Sequence, residues 1–201
     1  MVEKHPRSEP DTAGSAMPED AIDAGTLFRS HMSFVANFVA RLGARREDVD
    51  DVVQDVFLIA HRHGGFVPGP ARPTTWLAEI AVRVVSTRLR TQRRRDGRTD
   101  DGALGALATH EPDPARAAET AQQLRAVQNA LDSMDINRRA VFILFEIDGE
   151  SCVDIAAGFG IPINTVYTRL HAARREFLNA MSRLEAVERH GASVALSRSR
   201  A

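Results

Sequence analysis

The stretch GIPINTVYTRLHAARREF, residues 160–177, decides the fold of the C-terminal half of the chain. Val166, Leu170 and Phe177 recur at helical spacing, which predicts a helix with one buried face. The other faces carry the polar and basic side chains Asn164, Thr165, Tyr167, Thr168, Arg169, His171, Arg174 and Arg175. Such a helix packs on a core with one side and leaves its basic faces open to a partner.

A shorter helix is predicted directly upstream of this one. Ser151 is a typical N-cap residue, and Asp154 follows three residues later in a capping-box-like arrangement. Gly160 makes the turn between the helices, and Pro162 is tolerated in the first turn of the next helix. Two helices joined by a short glycine-containing turn form a helix-turn-helix.

In a helix-turn-helix that binds DNA, the second helix lies in the major groove and its N-terminal residues meet base edges. The residues predicted to read bases are Asn164, Thr165, Tyr167, Thr168 and Arg169, with His171 on the same polar side. Arg174 and Arg175 lie further along the helix and are predicted to contact phosphates. A solvated helix face on a purely structural bundle is the alternative.

Helical periodicity also runs through the N-terminal half. Apolar residues from Leu27 to Leu42 predict a first helix, which Gly43 is well placed to end. A second helix over residues 49–60 buries a valine-rich stripe. Its outward face carries Asp51, Gln54, Asp55 and Leu58. This face fits either a protein-docking site or an ordinary solvated acidic surface.

Residues 66–75 contain three prolines and predict a loop, which is followed by a third helix from Trp76 to Arg95. The arginines predicted to be exposed on this helix are Arg83, Arg88, Arg90, Arg93, Arg94 and Arg95. Such a density of like charge indicates a polyanion as partner. Phe66 and Trp76 flank the loop and suit contact with unstacked bases of a single strand. The alternatives are a solvated basic face and a Trp76 that belongs to the core.

The chain as a whole predicts an all-α protein with two small helical domains joined by a flexible acidic linker. The predicted parts are a disordered tail (1–22), a first domain (23–95), the linker (96–122), a second domain (123–188) and a loose tail (189–201). The N-terminus is polar, and no apolar run is long enough to span a membrane. These features predict a soluble, cytoplasmic protein.

An enzyme is disfavoured by the residues that could carry chemistry. His61 and His63 lie two apart on a helix, so their rings point to different sides. The single cysteine, Cys152, builds neither a disulfide framework nor a metal cluster. The sequence contains no HExxH, paired-carboxylate or glycine-rich phosphate motif. We therefore predict no catalytic residue, no metal and no cofactor.

Three segments together resemble the bacterial sigma factors of the extracytoplasmic-function (ECF) group. They are EDVDDVVQDVFLIAHRH (47–63), TTWLAEIAVRVVSTRLRTQRRR (74–95) and LDSMDINRRAVFILFEIDGESCVDIAAGFGIPINTVYTRLHAARREF (131–177). The resemblance covers residues 24–95 as region 2 and residues 123–178 as region 4. Two motif sets occur in the family's order, with an acidic linker between them.

The resemblance implies a role for each surface. The face of Asp51, Gln54, Asp55 and Leu58 would dock on the clamp helices of the RNA polymerase β′ subunit. Recognition and melting of the −10 element would fall to the loop 66–75 and the helix from Trp76, with Phe66, Trp76, Arg83, Arg88, Arg90 and Arg94 as the contact residues. The helix from Asn164 to Arg175 would recognise the −35 element. The implied partners are core RNA polymerase (β′ clamp helices and β flap), promoter DNA and an anti-sigma factor.

A stand-alone helix-turn-helix transcriptional regulator of the LuxR type is the alternative function, because its DNA-binding half resembles region 4. Residues 47–95 have no place in such a regulator. For the sigma factor we also expect weak binding of duplex promoter DNA by the free chain. The linker is acidic and both DNA-binding helices are basic, so the two domains can fold against each other or against the linker.

Overall fold

The computed structural model describes residues 20–95 and 114–198. The helices of the described residues are α1 (Ala24–Arg41), α2 (Val49–Arg62), α3 (Pro73–Arg95), α4 (Pro114–Asp132), α5 (Ile136–Phe142), α6 (Cys152–Phe159) and α7 (Ile163–Arg198). A 3-10 turn precedes α2, and a π-helical turn, Ile143–Ile147, extends α5. Within these ranges the extended pairing is one isolated bridge between Ile22 and Phe66. The all-α prediction is confirmed.

Helices α1, α2 and α3 pack together and are called the first unit below. Asp23 caps α1, because its Oδ1 accepts hydrogen bonds from the backbone N–H groups of Gly25 (2.9 Å) and Thr26 (3.0 Å). Gly43 has a φ of 94° and ends the same helix in the left-handed region. The stripe predicted for α2 is buried at Val52, Val53, Val56, Phe57 and Ala60.

Helices α4 to α7 form the second unit, and its helix-turn-helix has the predicted local geometry. Ser151 caps α6 by accepting the Asp154 N–H at 3.1 Å. Gly160 follows in the left-handed conformation, with φ 60°. On α7, Val166 and Leu170 are buried. The ring of Phe177, further along α7, stacks on Phe142 of α5 with the centroids 4.9 Å apart.

Three element boundaries differ from the sequence prediction. Helix α3 begins at Pro73, inside the predicted loop, because proline is favourable in the first helical turn. Helix α4 begins at Pro114, inside the predicted linker, in the alanine-rich run PARAAETAQ. Helix α7 continues to Arg198, past the predicted end of the second domain, since residues 178–198 contain no proline. The predicted tail and linker otherwise fall on residues 1–19, 96–113 and 199–201, outside the described residues.

The two units contact each other through α3, which packs against α5 and α6. We call this packing the closed arrangement. At its centre Gly158 of α6 lies so close to Thr75 of α3 that a Cβ on Gly158 would come within 2.5 Å of the threonine side chain. The units are also joined by a polar contact at the end of α1, where Arg139 Nη1 donates to the carbonyl oxygen of Leu42 at 2.7 Å. The packing brings α6 of the second unit onto the N-terminal end of α3.

Candidate nucleic-acid interface

The polar side of α7 is open to solvent. Asn164, Thr168 and His171 are exposed, and Tyr167 has 52% of its surface accessible. Arg169 is half-buried, as is the remaining predicted base reader, Thr165. The buried side of the helix packs on the second unit, so the first two turns present a polar strip of suitable shape for a DNA groove.

The two arginines further along α7 differ in their surroundings. Arg174 donates from Nε to Glu146 Oε1 at 2.6 Å, and its guanidinium carbon lies 5.3 Å from the ring centroid of Phe145. Arg175 is exposed. A phosphate that contacts Arg174 therefore competes with a carboxylate, a property that the sequence spacing did not signal.

The arginines of α3 fall into two groups. Arg90 and Arg94 are exposed. Arg83 is also exposed but pairs with Glu79, one turn earlier on the same helix. Burial raises the pKa of Glu79 above its usual range, with Arg83 opposing that rise. Arg88 instead reaches across to α2, where its Nη2 lies 2.5 Å from Asp55 Oδ2. The side chains of Arg93 and Arg95 lie outside the described part of the chain.

The aromatic pair beside the loop is arranged differently from the prediction. Phe66 is only 5% exposed, its backbone pairs with Ile22, and its ring lies 5.6 Å from that of Trp76. Phe66 is thus a core residue of the free chain, and stacking on a base would require its ring to leave this position, so its assignment to the −10 element stays a prediction. Trp76 is half-buried, with His63 6.4 Å away on another side.

The outward face of α2 has the predicted composition. Asp51 and Gln54 are exposed, and Leu58 is 46% exposed. Asp55 is half-buried because of its ion pair with Arg88. The sequence assigned Asp55 to a protein-docking surface and Arg88 to a DNA-binding surface. In the structure these two residues form an ion pair with each other.

Beside this face a groove of about 650 Å³ runs between α1 and α2. Its walls include Phe28 and Met32 of α1, which are 41% and 43% exposed. The helical pattern placed Phe28 on the buried stripe of α1, and its ring does contact Phe57 edge-on at 5.1 Å. The other side of the Phe28 ring faces the groove. The periodicity of a single helix does not predict whether a neighbouring helix covers such a ring.

The sequence also missed the carboxylates of the contact between the units. Thr74 Oγ1 donates to Glu150 Oε1 at 2.5 Å, and Arg72 Nη1 to Glu150 Oε2 at 3.0 Å. Arg41 Nη1 lies 3.1 Å from Asp148 Oδ1. Burial raises the pKa of Asp148, and its Oδ2 has no hydrogen-bond partner among the described residues. Both acids belong to the turn DGE, which looks like an ordinary solvated turn in the sequence.

The described residues contain no group of three or more His, Cys, Asp and Glu side chains arranged to hold a metal ion. Cys152 is 8% exposed, and burial raises the pKa of its thiol. Over the same residues, none of the helices combines the length and the apolar character that crossing a membrane requires.

Comparison with known families assigns both units. Residues 27–95 match the profile described as Sigma-70 region 2, and residues 124–177 match Sigma-70, region 4. The ECF RNA polymerase sigma factor SigM of Mycobacterium tuberculosis is 31% identical over 172 residues, which cover 85% of this chain and 83% of SigM. The chain belongs to the ECF group of the sigma-70 family. It is a sigma factor that directs transcription initiation.

Other relatives agree with this assignment. The ECF RNA polymerase sigma-E factor of Escherichia coli K12 is 32% identical over 159 residues, covering 75% of this sigma factor and 82% of the relative. The sigma factor RpoE of Bartonella quintana, solved with the anti-sigma factor NepR, has the same fold with a TM-score of 0.61 and 21% identity over 77% of this chain and 94% of that one. CnrH, solved with the cytosolic domain of CnrY, has a TM-score of 0.53 and 24% identity over 79% and 87%. Because region 2 is present, the comparisons give no support to the stand-alone LuxR-type regulator.

Proposed function

We propose that this sigma factor divides its work among three helices: α2 docks on core RNA polymerase, α3 binds the −10 element and α7 reads the −35 element. The observation that carries the proposal is the separation of charge on exposed faces. Acid lies on α2 at Asp51, and exposed basic side chains lie on α3 at Arg90 and Arg94. A protein partner and a polyanion can thus bind at the same time without sharing a surface.

For the −35 element, the proposal rests on the geometry of α7. A helix enters the major groove with its N-terminal residues nearest the bases. Asn164 and Tyr167 are exposed there, while the buried Val166 and Leu170 fix the rotation of the helix on the second unit. We assign base contacts to Asn164, Thr165, Tyr167, Thr168, Arg169 and His171, and phosphate contacts to Arg174 and Arg175.

For the −10 element, the proposal keeps Trp76, Arg83, Arg90 and Arg94 as DNA contacts. Each phosphate neutralised by such a side chain releases counterions, so binding should weaken steeply with salt. Arg88 is included only on the condition that it leaves Asp55, which it contacts at 2.5 Å in the free chain. Polymerase that engages Asp55 would release Arg88 towards DNA.

For the polymerase, the proposal names Asp51, Gln54, Asp55 and Leu58 as the docking face, with β′ clamp helices and the β flap as the implied contacts of the two units. We also propose that an anti-sigma factor binds this protein and holds it inactive, because RpoE has been solved in complex with the anti-sigma factor NepR and CnrH in complex with the cytosolic domain of CnrY. The protein would act in the cytoplasm, without a catalytic site or a cofactor of its own.

The experiment that tests the docking face is a pull-down of core polymerase by the full chain. Asp51→Arg with Leu58→Glu changes the face at two exposed positions and leaves the Asp55–Arg88 pair intact. We expect this variant to lose core binding and to keep its helical circular dichroism. Asp20→Arg reverses an exposed acid outside α2 and should bind as the wild type does. Wild-type binding by the double variant would remove the assignment.

A further inference from the structure

The N-terminal end of α3 holds an anion in the free chain, and that anion is a carboxylate of the second unit. Thr74 and Arg72 each donate to a different oxygen of Glu150, at 2.5 and 3.0 Å. The Glu150 side chain is 7% exposed, whereas that of Arg72 is 59% exposed. A buried carboxylate is costly unless charged and polar donors surround it. The pair of donors therefore forms a built site for an anion.

This site has the chemistry of a phosphate site. A guanidinium matches the oxygens of a phosphate as well as those of a carboxylate. The start of a helix adds the positive end of the helix dipole, although Pro73 itself has no N–H group. Thr75 keeps the site in shape, since its hydroxyl accepts from Arg72 N at 3.3 Å and donates to Arg72 O at 3.0 Å.

The site also lies where promoter DNA is expected. Trp76, the aromatic residue assigned above to the −10 element, is two positions from Thr74, so the two side chains leave different sides of α3 at nearly the same level along its axis. Arg90 and Arg94 are exposed on the same helix, about 24 and 30 Å further along its axis. Arg72 and Thr74 lie in the segment 66–75 that the resemblance implies for the −10 element, but neither side chain was singled out from the sequence.

We propose that Arg72 and Thr74 bind a backbone phosphate of promoter DNA, and that Glu150 occupies this phosphate site in the free chain. The inference rests on the proposed role of α3 at the −10 element and adds two contacts and an internal competitor to it. Glu150 stands in for the phosphate, so DNA must displace the second unit before it reaches the site.

The second unit delivers Glu150 in a fixed position. Gly149 turns the chain with a φ of 73°, and the Glu150 N–H donates to the carbonyl oxygen of Leu144 at 2.8 Å. Ser151 then caps α6. The neighbouring pair of Arg41 and Asp148, at 3.1 Å, ties the same turn to α1. A carboxylate held this firmly competes as an intramolecular ligand, at a high effective concentration.

The alternative to a phosphate site is that the Arg72–Glu150 pair only joins the two units. Two substitutions distinguish these two explanations. Both Glu150→Gln and Arg72→Gln loosen the closed arrangement. If the pair is only structural, both raise the DNA affinity of the free chain equally. If Arg72 holds a phosphate, Glu150→Gln raises the affinity and Arg72→Gln does not.

The test measures binding of the full chain to a forked DNA with a randomised single-stranded segment, by fluorescence anisotropy at several salt concentrations. We expect Glu150→Gln to tighten binding by about fivefold or more. Adding Arg72→Gln should abolish that gain and lower the salt slope by about one unit. Thr74→Val, which removes only the hydroxyl, should act in the same direction as Arg72→Gln and replaces it if that variant folds poorly. Glu176→Gln is the matched control, because its partner Arg138 lies in the same unit.

A charge exchange completes the experiment. Arg72→Glu with Glu150→Arg should restore the closed arrangement, seen as a wild-type radius of gyration in X-ray scattering, but not DNA binding. Equal gains in affinity from Glu150→Gln and Arg72→Gln would overturn the inference, as would a charge-exchanged chain that binds DNA like the wild type. Run-off transcription by the wild-type holoenzyme distinguishes a failure of the proposed function from a failure of the phosphate site. Absence of transcription contradicts the proposed function. Transcription together with equal gains in DNA affinity from Glu150→Gln and Arg72→Gln contradicts only the phosphate site.

Discussion

Replacing Gly158 by alanine should separate the two units without damaging either one. A Cβ at this position would lie 2.5 Å from both Cβ and Oγ1 of Thr75 and 2.8 Å from its carbonyl carbon. Thr75 is fully buried, and its hydroxyl is held by two hydrogen bonds to the backbone of Arg72. The added methyl group therefore meets a fixed side chain and the backbone, neither of which has room to move in the closed arrangement.

The magnitude follows from a comparison of the closed and open forms. Helix α6 is formed in both, so the gain of about 0.5–1 kcal/mol for alanine over glycine in a helix cancels between them. Overpacking a tight contact costs about 1–3 kcal/mol, and this cost falls on the closed form alone. The open form should therefore gain about 5- to 150-fold in relative population.

X-ray scattering and DNA binding of the free chain provide the assay. Gly158→Ala should increase the radius of gyration, tighten binding to forked DNA and keep the helical circular dichroism. Gly69→Ala is the matched control, because among the described residues beyond its chain neighbours the nearest atom to its added Cβ is the Val67 carbonyl oxygen at 4.0 Å. An unchanged radius of gyration and affinity would refute the reasoning, and so would equal changes in the control.

Three further predictions concern single side chains. Burial raises the pKa of Asp148 above its ordinary value of 3.8, so its contribution to stability is full at low pH and is lost as pH rises through the raised pKa. In urea titrations from about pH 4 to 7, Asp148→Asn should therefore become more stable relative to the wild type as the pH rises. A stability difference that does not change with pH would show that the burial of Asp148 does not raise its pKa. Arg169→Ala should relax base preference by about 1–3 kcal/mol at one or two −35 positions, whereas Arg174→Ala should weaken all sequences evenly and lower the salt slope by about one unit; a panel of −35 variants tests this, and the reverse pattern would mean that α7 docks differently. Ser151→Ala removes the N-cap of α6 and should lower the free energy of unfolding by about 1 kcal/mol, which an unchanged denaturation midpoint would contradict.

Local sequence signals predicted the helices and their caps. The N-cap at Ser151, the left-handed Gly160 and the buried stripe through Val56 each depend on residues within a few positions of one another. Helix boundaries were harder to predict, because a proline is typical both of loops and of the first turn of a helix, and Pro73 starts α3.

Contacts between distant segments were outside the reach of such signals. The pairing of Asp55 with Arg88 spans 33 positions, and that of Thr74 with Glu150 spans 76. Apolar periodicity predicts which face of its own helix a residue lies on. It does not predict which residue of another helix will contact it. The burial of Phe66 and the open side of Phe28 have the same origin, since each depends on how a neighbouring segment packs.

Run-off transcription with core RNA polymerase on a promoter library tests the central claim most directly. The account predicts that the full chain makes core polymerase initiate from a subset of promoters that share −10 and −35 sequences. The Asp51→Arg, Leu58→Glu variant should abolish this initiation, and Arg169→Ala should broaden the −35 preference of the selected set. Initiation no greater than that of core polymerase alone, or initiation without shared promoter sequences, would contradict the account.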